Sequence, residues 1–290
     1  MFRILAVGNV TIDVIFQVPV YPMENQELRA TAYSRRCGGN AANTLVVLSQ
    51  LGHQCSWSGV WADEPDNVVI FNEFRHFSIS SESAKCVRQG KNPTSFILIN
   101  EQTGSRTITH YRGLEELDFA HFSGIDLTQF DWIHFEGRNV IETKKMLEHV
   151  QREVPDCPVS LEIEKARKGI ESLFPYAGLL LFSQAYGEAM AADPQSLLER
   201  VHQQYAWVDA VCSLGEKGAM AMSRSGNLHV ADAFVPDVVI DTLGAGDTFN
   251  AAMIDARLKN LTLPASLEYA CWLAGRKCGQ DGLTNLAREE

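Results

Sequence analysis

The stretch Asp241-Thr242-Leu243-Gly244-Ala245-Gly246-Asp247-Thr248-Phe249-Asn250 holds the residue types and spacing most suited to chemistry. Small residues at 244–246 open a run of helical period from Thr248 to Leu258. Such a start gathers free backbone N–H groups and the positive end of a helix at one point, which makes an anion site. An acidic side chain there would compete with a bound anion unless it takes part in a reaction. Asp247 fits a base that takes a proton from an attacking hydroxyl. The N–H groups of Gly244, Ala245 and Gly246 would then stabilise charge building on a transferred phosphoryl group, and the helix end should hold the Asp247 carboxylate ionised. Phosphoryl transfer needs mainly positioning and charge neutralisation, so one base and one anion hole suffice. The bland alternative is a capping Asp on a glycine-rich helix start; the full length of the string argues against it.

Other chemistries lack their signatures. There is no GxxxxGK[ST] phosphate loop, no HRD or DFG pair, no HExxH and no GxSxG elbow. Gly244-Ala245-Gly246 lies far from the first strand and lacks a third glycine at the dinucleotide spacing.

The elements that must position Asp247 follow from periodicity. Ile4 to Val7 reads as a buried strand, not a signal peptide. Thr11 to Val18 and Glu27 to Arg36 alternate like strands with one polar face, joined by a turn at Tyr21-Pro22-Met23. Gly38-Gly39-Asn40 opens a helix from Ala41 to Leu51, and Asn67 to Phe77 is helical in period. Ser95 to Asn100 and Arg106 to Tyr111 form a hairpin around Glu101-Gln102-Thr103-Gly104. From about Asp126 onward strands alternate with helices: Trp132 to Phe135, then 142–153; Val159 to Ile163, then 168–173; Leu179 to Phe182; Ala210 to Ser213. That alternation predicts an α/β fold, a doubly wound, mostly parallel sheet flanked by helices. The early β-only pieces predict a small separate sheet built from insertions near 11–37 and 93–112 within a single domain spanning 1–290. Its alternation leaves an apolar face (Leu28, Ala30, Ala32) that needs cover.

With 290 residues, 46% of them hydrophobic, the chain can bury a sizeable core. A net charge of −11 argues against nonspecific nucleic-acid or anionic-membrane binding. No apolar run reaches the length of about 18 residues that a membrane span requires. Seven cysteines without CxxC spacing read as reduced thiols and point to the cytoplasm.

Asp241 to Asp247 resembles the C-terminal signature of ribokinase-like (PfkB) sugar kinases. Gly38-Gly39-Asn40-Ala41-Ala42-Asn43 resembles their N-terminal signature, and Gly8-Asn9-Val10-Thr11-Ile12-Asp13 their first-strand segment. In order, these segments span nearly the whole chain. Gly104 to Ile108, Trp132 to Asn139, Glu162 to Lys165 and Ala274 to Gly279 are similar to the ketohexokinase branch of that family. The resemblance implies a doubly wound domain with a β-sheet lid, ATP and Mg²⁺ as cofactors, and a sugar as substrate, with a ketohexose such as fructose foremost; it leaves K⁺ open. It makes Asp247 the general base, with Gly244, Ala245 and Gly246 as the anion hole. Asp13, Gly39, Asn40, Asn43 and Asn25 become sugar ligands. Arg106, Thr242, Gly215, Glu216, Gly218 and Cys271 become nucleotide contacts. Glu162 and Glu164 would organise Mg²⁺ through water. It further implies a homodimer paired through the lid.

Two positions depart from the pattern. Ser183-Gln184-Ala185-Tyr186 stands where many members carry N-x-x-E, and Asn25 stands where ketohexokinases carry an Asp. Nucleosides, aldoses, phosphosugars and sulfosugars therefore remain rival substrates. The last two would require extra cations, for which Arg35, Arg36, Arg112 and Arg138 are candidates. A catalytically silent sugar sensor is the rival outside enzymology.

Overall fold

The computed structural model describes residues 1–190 and 193–287. Its strands are β1 (Arg3–Val7), β2 (Thr11–Val18), β3 (Ala32–Gly38), β4 (Gln54–Ser58), β5 (Val60–Ala62), β6 (Lys85–Val87) and β7 (Thr94–Asn100). They continue as β8 (Arg106–Tyr111), β9 (Trp132–Glu136), β10 (Val159–Ile163), β11 (Leu179–Phe182), β12 (Asp209–Ser213), β13 (Ala219–Met222) and β14 (Leu228–Ala231). The α-helices are α1 (Asn40–Gln50), α2 (Asn67–His76), α3 (Phe119–Phe122), α4 (Val140–Glu153), α5 (Gln184–Ala189), α6 (Pro194–Gln204), α7 (Ala245–Leu258) and α8 (Leu263–Cys278).

The main sheet has eight strands in the order β14-β13-β12-β11-β10-β9-β1-β4. Strands from β4 to β12 in that order run parallel, while β13 and β14 add antiparallel at one edge. Strand–helix alternation foretells the parallel part but not these two short edge strands. In β1, Ile4 and Ala6 enter one core with α1, α2, α7 and α8, while Leu5 and Val7 enter the other with α4 and α6. A sheet covered on both faces explains why its strands read as unbroken apolar runs.

Gly8, Asn9 and Val10 lead the chain from β1 into a second sheet, ordered β3-β2-β7-β8. β2 and β7 are parallel; the outer pairs are antiparallel. One face carries Asp13, Ser95, Ile97, Ile108 and His110, all turned to the cleft described below. The other carries Val14, Phe16, Tyr33, Phe96 and Tyr111, as the register requires. These four strands form the small separate sheet expected as the lid.

Three local expectations need correcting. The lid strand expected at 27–36 is β3, at Ala32–Gly38. Leu28 and Ala30 therefore precede it, and the exposed apolar face consists instead of Tyr33 (59% exposed), Phe96 (49%) and Tyr111 (54%). The helix expected at 168–173 is a 3₁₀ segment, Ile170–Tyr176. Pro175 lies within it and has no N–H to continue an α-helical ladder.

Candidate active site

α1 and α7 pack together, and their first turns meet where the parallel strands end, the usual position of a site in an open α/β sheet. Gly39 caps α1 at φ +102°, a backbone conformation that favours glycine. A Cβ on Gly39 would lie 2.4 Å from the Asn9 carbonyl oxygen, and one on Gly38 2.1 Å from Asp13 Oδ2. The glycine pair thus lets the lid strand, the first helix and Asp13 converge.

The resulting cleft holds about 420 Å³ and is lined by Asp13, Gly39, Asn40, Asn43, Arg106, Glu162, Glu164, Thr242, Gly244, Gly246 and Asp247, among others. Residues scattered from 13 to 247 in sequence are thereby gathered into one space. Asn43 Nδ2 donates to Asp247 Oδ2 at 2.7 Å. Asn40 Nδ2 donates to Glu162 Oε1 at 3.0 Å. Thr11 Oγ1 donates to Asp13 Oδ1 at 2.9 Å.

Gly244, at φ +81°, caps α7 without any side-chain bond, so the helix start stays open toward the cleft. The three N–H groups expected to form an anion hole are placed differently. The Ala245 N–H donates to the Thr242 carbonyl at 3.3 Å, and Ala245 does not line the cleft, whereas Gly244 and Gly246 do. The loop is tied down by its first residue. Asp241 Oδ1 accepts from the Leu243 N–H at 2.8 Å, and Oδ2 from the Gly282 N–H at 3.1 Å. Lys277, whose side chain is wholly buried, donates to Asp241 Oδ2 at 2.9 Å and to its carbonyl at 2.7 Å. Burial alone would raise the Asp241 carboxyl, but these partners together hold it below the usual range.

The carboxylates in the cleft behave differently. Burial raises Asp247 to about 7, with the charges of Glu136, Glu164 and Asp13 adding to the effect and the Asn43 bond opposing it. Burial and like charge thus act against the helix end that was expected to keep Asp247 ionised. Burial also lifts Glu162 well above the ordinary carboxyl value, helped by Asp247, Glu136 and Glu164. Glu162 Oε2 is buried without a partner. Burial raises Asp13 too, against the Ser95 and Thr11 bonds and the charge of Arg36.

Arg106, Arg112, Arg138 and Lys165 supply positive charge along the cleft. Arg138 pairs with Glu136 and reaches Glu164 at 3.7 Å; Arg112 pairs with Glu116. Arg106 Nη1 donates to Thr242 Oγ1 at 3.2 Å and so joins the lid to the anion loop. Arg35 and Arg36 line a second chamber of about 680 Å³, which shares Asp13, Asn43 and Leu243 with the cleft.

Other expected residues lie outside the cleft wall. Gly215 and Glu216 form a tight turn following β12, whose last residue, Ser213, does line the cleft. Gly218 sits at φ +85°, where a Cβ would strike the Ala231 carbonyl at 2.0 Å, so chain packing alone already requires glycine. Cys271 is buried in the core, its Sγ 3.9 Å from the Ala231 carbonyl. Asn25 stands on an exposed turn at φ +61° and does not line the cleft of its own chain.

Sequence reasoning assigned no role to Glu136. Its buried Oε1 accepts from the Ala41 N–H at 2.7 Å and the Asn9 N–H at 3.1 Å, pinning the start of α1 to the end of β9. The available signal was a carboxylate ending the wholly buried strand Trp132–Glu136. Lys277 was missed as well, since nothing in its local sequence marks a buried lysine.

A mostly parallel sheet covered by helices on both faces, a β lid and an open helix start beside a buried Asp define a ribokinase-like phosphotransferase. The chain belongs to the pfkB family of carbohydrate kinases, whose family model matches residues 1–290. It is 36% identical to the ketohexokinase of Mus musculus over 297 residues, covering 98% of each chain. Among solved structures, ribokinase from Giardia lamblia superposes with a TM-score of 0.81 at 14% identity, covering 99% of this chain and 95% of that one. Ribokinase from Cryptococcus neoformans in complex with ADP gives 0.79 at 18% identity, covering 99% and 97%. ATP use follows from membership of this kinase family.

Proposed function

We propose that this kinase transfers the γ-phosphoryl group of ATP to a hydroxyl of a ketohexose such as fructose, with Asp247 as the general base. The observation that carries the reading is the meeting of Asp247 with Asn43, Asn40 and Asp13 at an uncapped helix start. Short amides and carboxylates supply both donors and acceptors for vicinal hydroxyls. A base whose pKa lies near 7 can accept a proton at neutral pH and give it up again. The full-length similarity to a ketohexokinase favours the ketose over the rival substrates.

In this reading Gly244 and Gly246 face the transferred group, and Arg106 leaves Thr242 to hold nucleotide phosphates. Phe234, Val235, Val238, Val239 and Ile240 are exposed just ahead of the anion loop and offer a purine an apolar surface. Among the described residues no cluster of three or more metal-ligating side chains exists. Mg²⁺ would therefore arrive with the phosphates, and the unpartnered Glu162 Oε2, with Glu164, is the donor set available to its water shell. Bound there, the ion would neutralise phosphate charge. K⁺ dependence is read by replacing it with tetramethylammonium at fixed ionic strength.

The test is ADP release from Mg-ATP against fructose and other ketoses, aldoses, adenosine, fructose phosphates and a sulfosugar. Strongest turnover with an unphosphorylated ketose is the expected result; preference for another compound overturns the substrate. Silence across the panel with sugar still bound would favour the sensor. Arg106→Ala should raise KM for Mg-ATP about tenfold, equivalent to about 1.4 kcal/mol. Its melting temperature should stay within about 1 °C, because the exposed Thr242 bond contributes little to stability.

The same lid supports a homodimer. Tyr33, Phe96 and Tyr111 stand exposed on one face of the lid, which a second copy would cover, bringing its Asn25 turn toward the neighbouring cleft. Sedimentation at micromolar concentration should show a dimer, and Phe96→Glu should shift it to monomer. A monomeric wild type would sink the pairing.

A further inference from the structure

The lid has two edge strands, β3 and β8, and each sends an arginine to the anion loop. From β8, Arg106 reaches Thr242. From β3, Arg36 Nη1 reaches Asp241 Oδ2 at 3.5 Å. The loop is thus straddled at consecutive residues by opposite edges of one sheet.

Arg36 is the more informative of the two contacts. In the β2–β3 register it stands directly opposite Asp13, which faces the proposed sugar site. Its Nη2 holds Asp281 through both carboxylate oxygens, at 2.8 and 2.9 Å. The next residue, Gly282, donates its N–H to the same Asp241. One guanidinium thereby joins a lid strand, the anion loop and the segment after α8. Lys277 already balances the charge of Asp241 from within the core, so Arg36 is not needed to neutralise it. Nor is β3 packed solid here: Arg36, Asp13, Asp241 and Asp281 all border the second chamber, which leaves the strand room to shift against α2.

We propose that Arg36 is a positioning residue that couples the lid to the anion hole, so that sugar bound at Asp13 and nucleotide bound at Gly244 and Gly246 strengthen each other through it. Asp241 sets the turn into Gly244 through its bond to the Leu243 N–H, so a shift of β3 passes to the phosphoryl site through a planar, two-pronged cation. Coupling of this kind is reciprocal: each ligand must tighten the other by the same factor.

The inference rests on the ketose kinase reading, and its test separates the two. Titration calorimetry would measure the affinity of a non-hydrolysable ATP analogue with Mg²⁺, with and without saturating fructose. In the wild type, fructose should tighten the analogue by about 5-fold or more, within the range typical of allosteric coupling. In Arg36→Gln that factor should fall below about 2-fold, with the affinity for fructose alone changed by less than about 3-fold. A purely structural role would weaken both ligands and leave their ratio untouched. Asp281→Asn removes a mostly exposed carboxylate at little risk to folding, and should lower the coupling at least twofold by unseating the guanidinium. Wild-type coupling retained in either variant, or no coupling in the wild type, overturns the proposal. A wild type that binds no fructose rejects the ketose reading and the coupling with it.

Discussion

Asp247→Asn should cost roughly 10²–10⁴-fold in kcat, the usual contribution of a positioned base, and yet melt at a higher temperature than the wild type. Asparagine keeps an oxygen for Asn43 and fills the same buried space, so the fold loses nothing that Asp247 gives it. The gain comes from removing a buried, like-charged carboxylate. The pKa of Asp247 is raised in the folded protein from 3.8 to about 7. The folded state therefore holds a proton that the unfolded chain has released between those values. Stability from that proton is fully present below about pH 3.8 and is lost as pH rises through 7. The melting gap between variant and wild type should open above pH 4 and flatten above pH 7. A shift of about 3 units corresponds to at most about 4 kcal/mol, or several degrees in a chain of this size. Thermal melts at pH 5 and pH 8, beside steady-state rates, check both halves. The wild type should also show an acid limb in kcat/KM with an apparent pKa near 7. A destabilised Asn variant would refute the burial account of Asp247.

Gly246→Val should destroy activity while leaving the fold almost untouched. A Cβ on Gly246 meets nothing within 4 Å, and the residue lines the cleft, so the new side chain would stand where phosphate oxygens are proposed to lie. Loss of a preorganised donor site costs about 10²-fold or more in rate. The melting temperature should move by less than about 2 °C, since valine in a first helical turn carries only a small propensity change. Gly275→Ala gives the contrast: its Cβ would sit 2.0 Å from the Phe234 carbonyl, so there the fold fails first. Kinetics and melts on the two variants tell occupied space from packed space. Activity of Gly246→Val within tenfold of the wild type would remove this helix start from the reaction.

The sequence carried the parallel sheet, the lid and most of the cleft because each has a local signature. Apolar runs with helical spacers marked the sheet, and the glycine pairs at 38–39 and 244–246 marked the helix starts around which the cleft forms. Long-range partners had no such mark. Glu136 and Lys277 act on backbone far away in sequence, at Ala41 and Asp241; the only local hint for Glu136 is a carboxylate closing an apolar strand, and nothing near Lys277 announces its role. The start of β3 was misplaced because the polar–apolar alternation of residues 27–31 continues smoothly into the strand, while its pairing with β2 begins only at Ala32. The upward shift of Asp247 was not foreseen for a related reason: a helix end is visible in sequence, whereas burial and three carboxylates arriving from other elements are not.

The lid is one strand-layer thick, and neighbouring residues along each strand look in opposite directions, Ser95 into the cleft and Phe96 away from it. A one-residue insertion within β2 or β7 would exchange the two faces at once, putting aromatic rings over the substrate and its ligands outside. The turns at 19–31 and 101–105 carry no such constraint. Inherited changes in length should therefore collect in those turns and be purged from the strands.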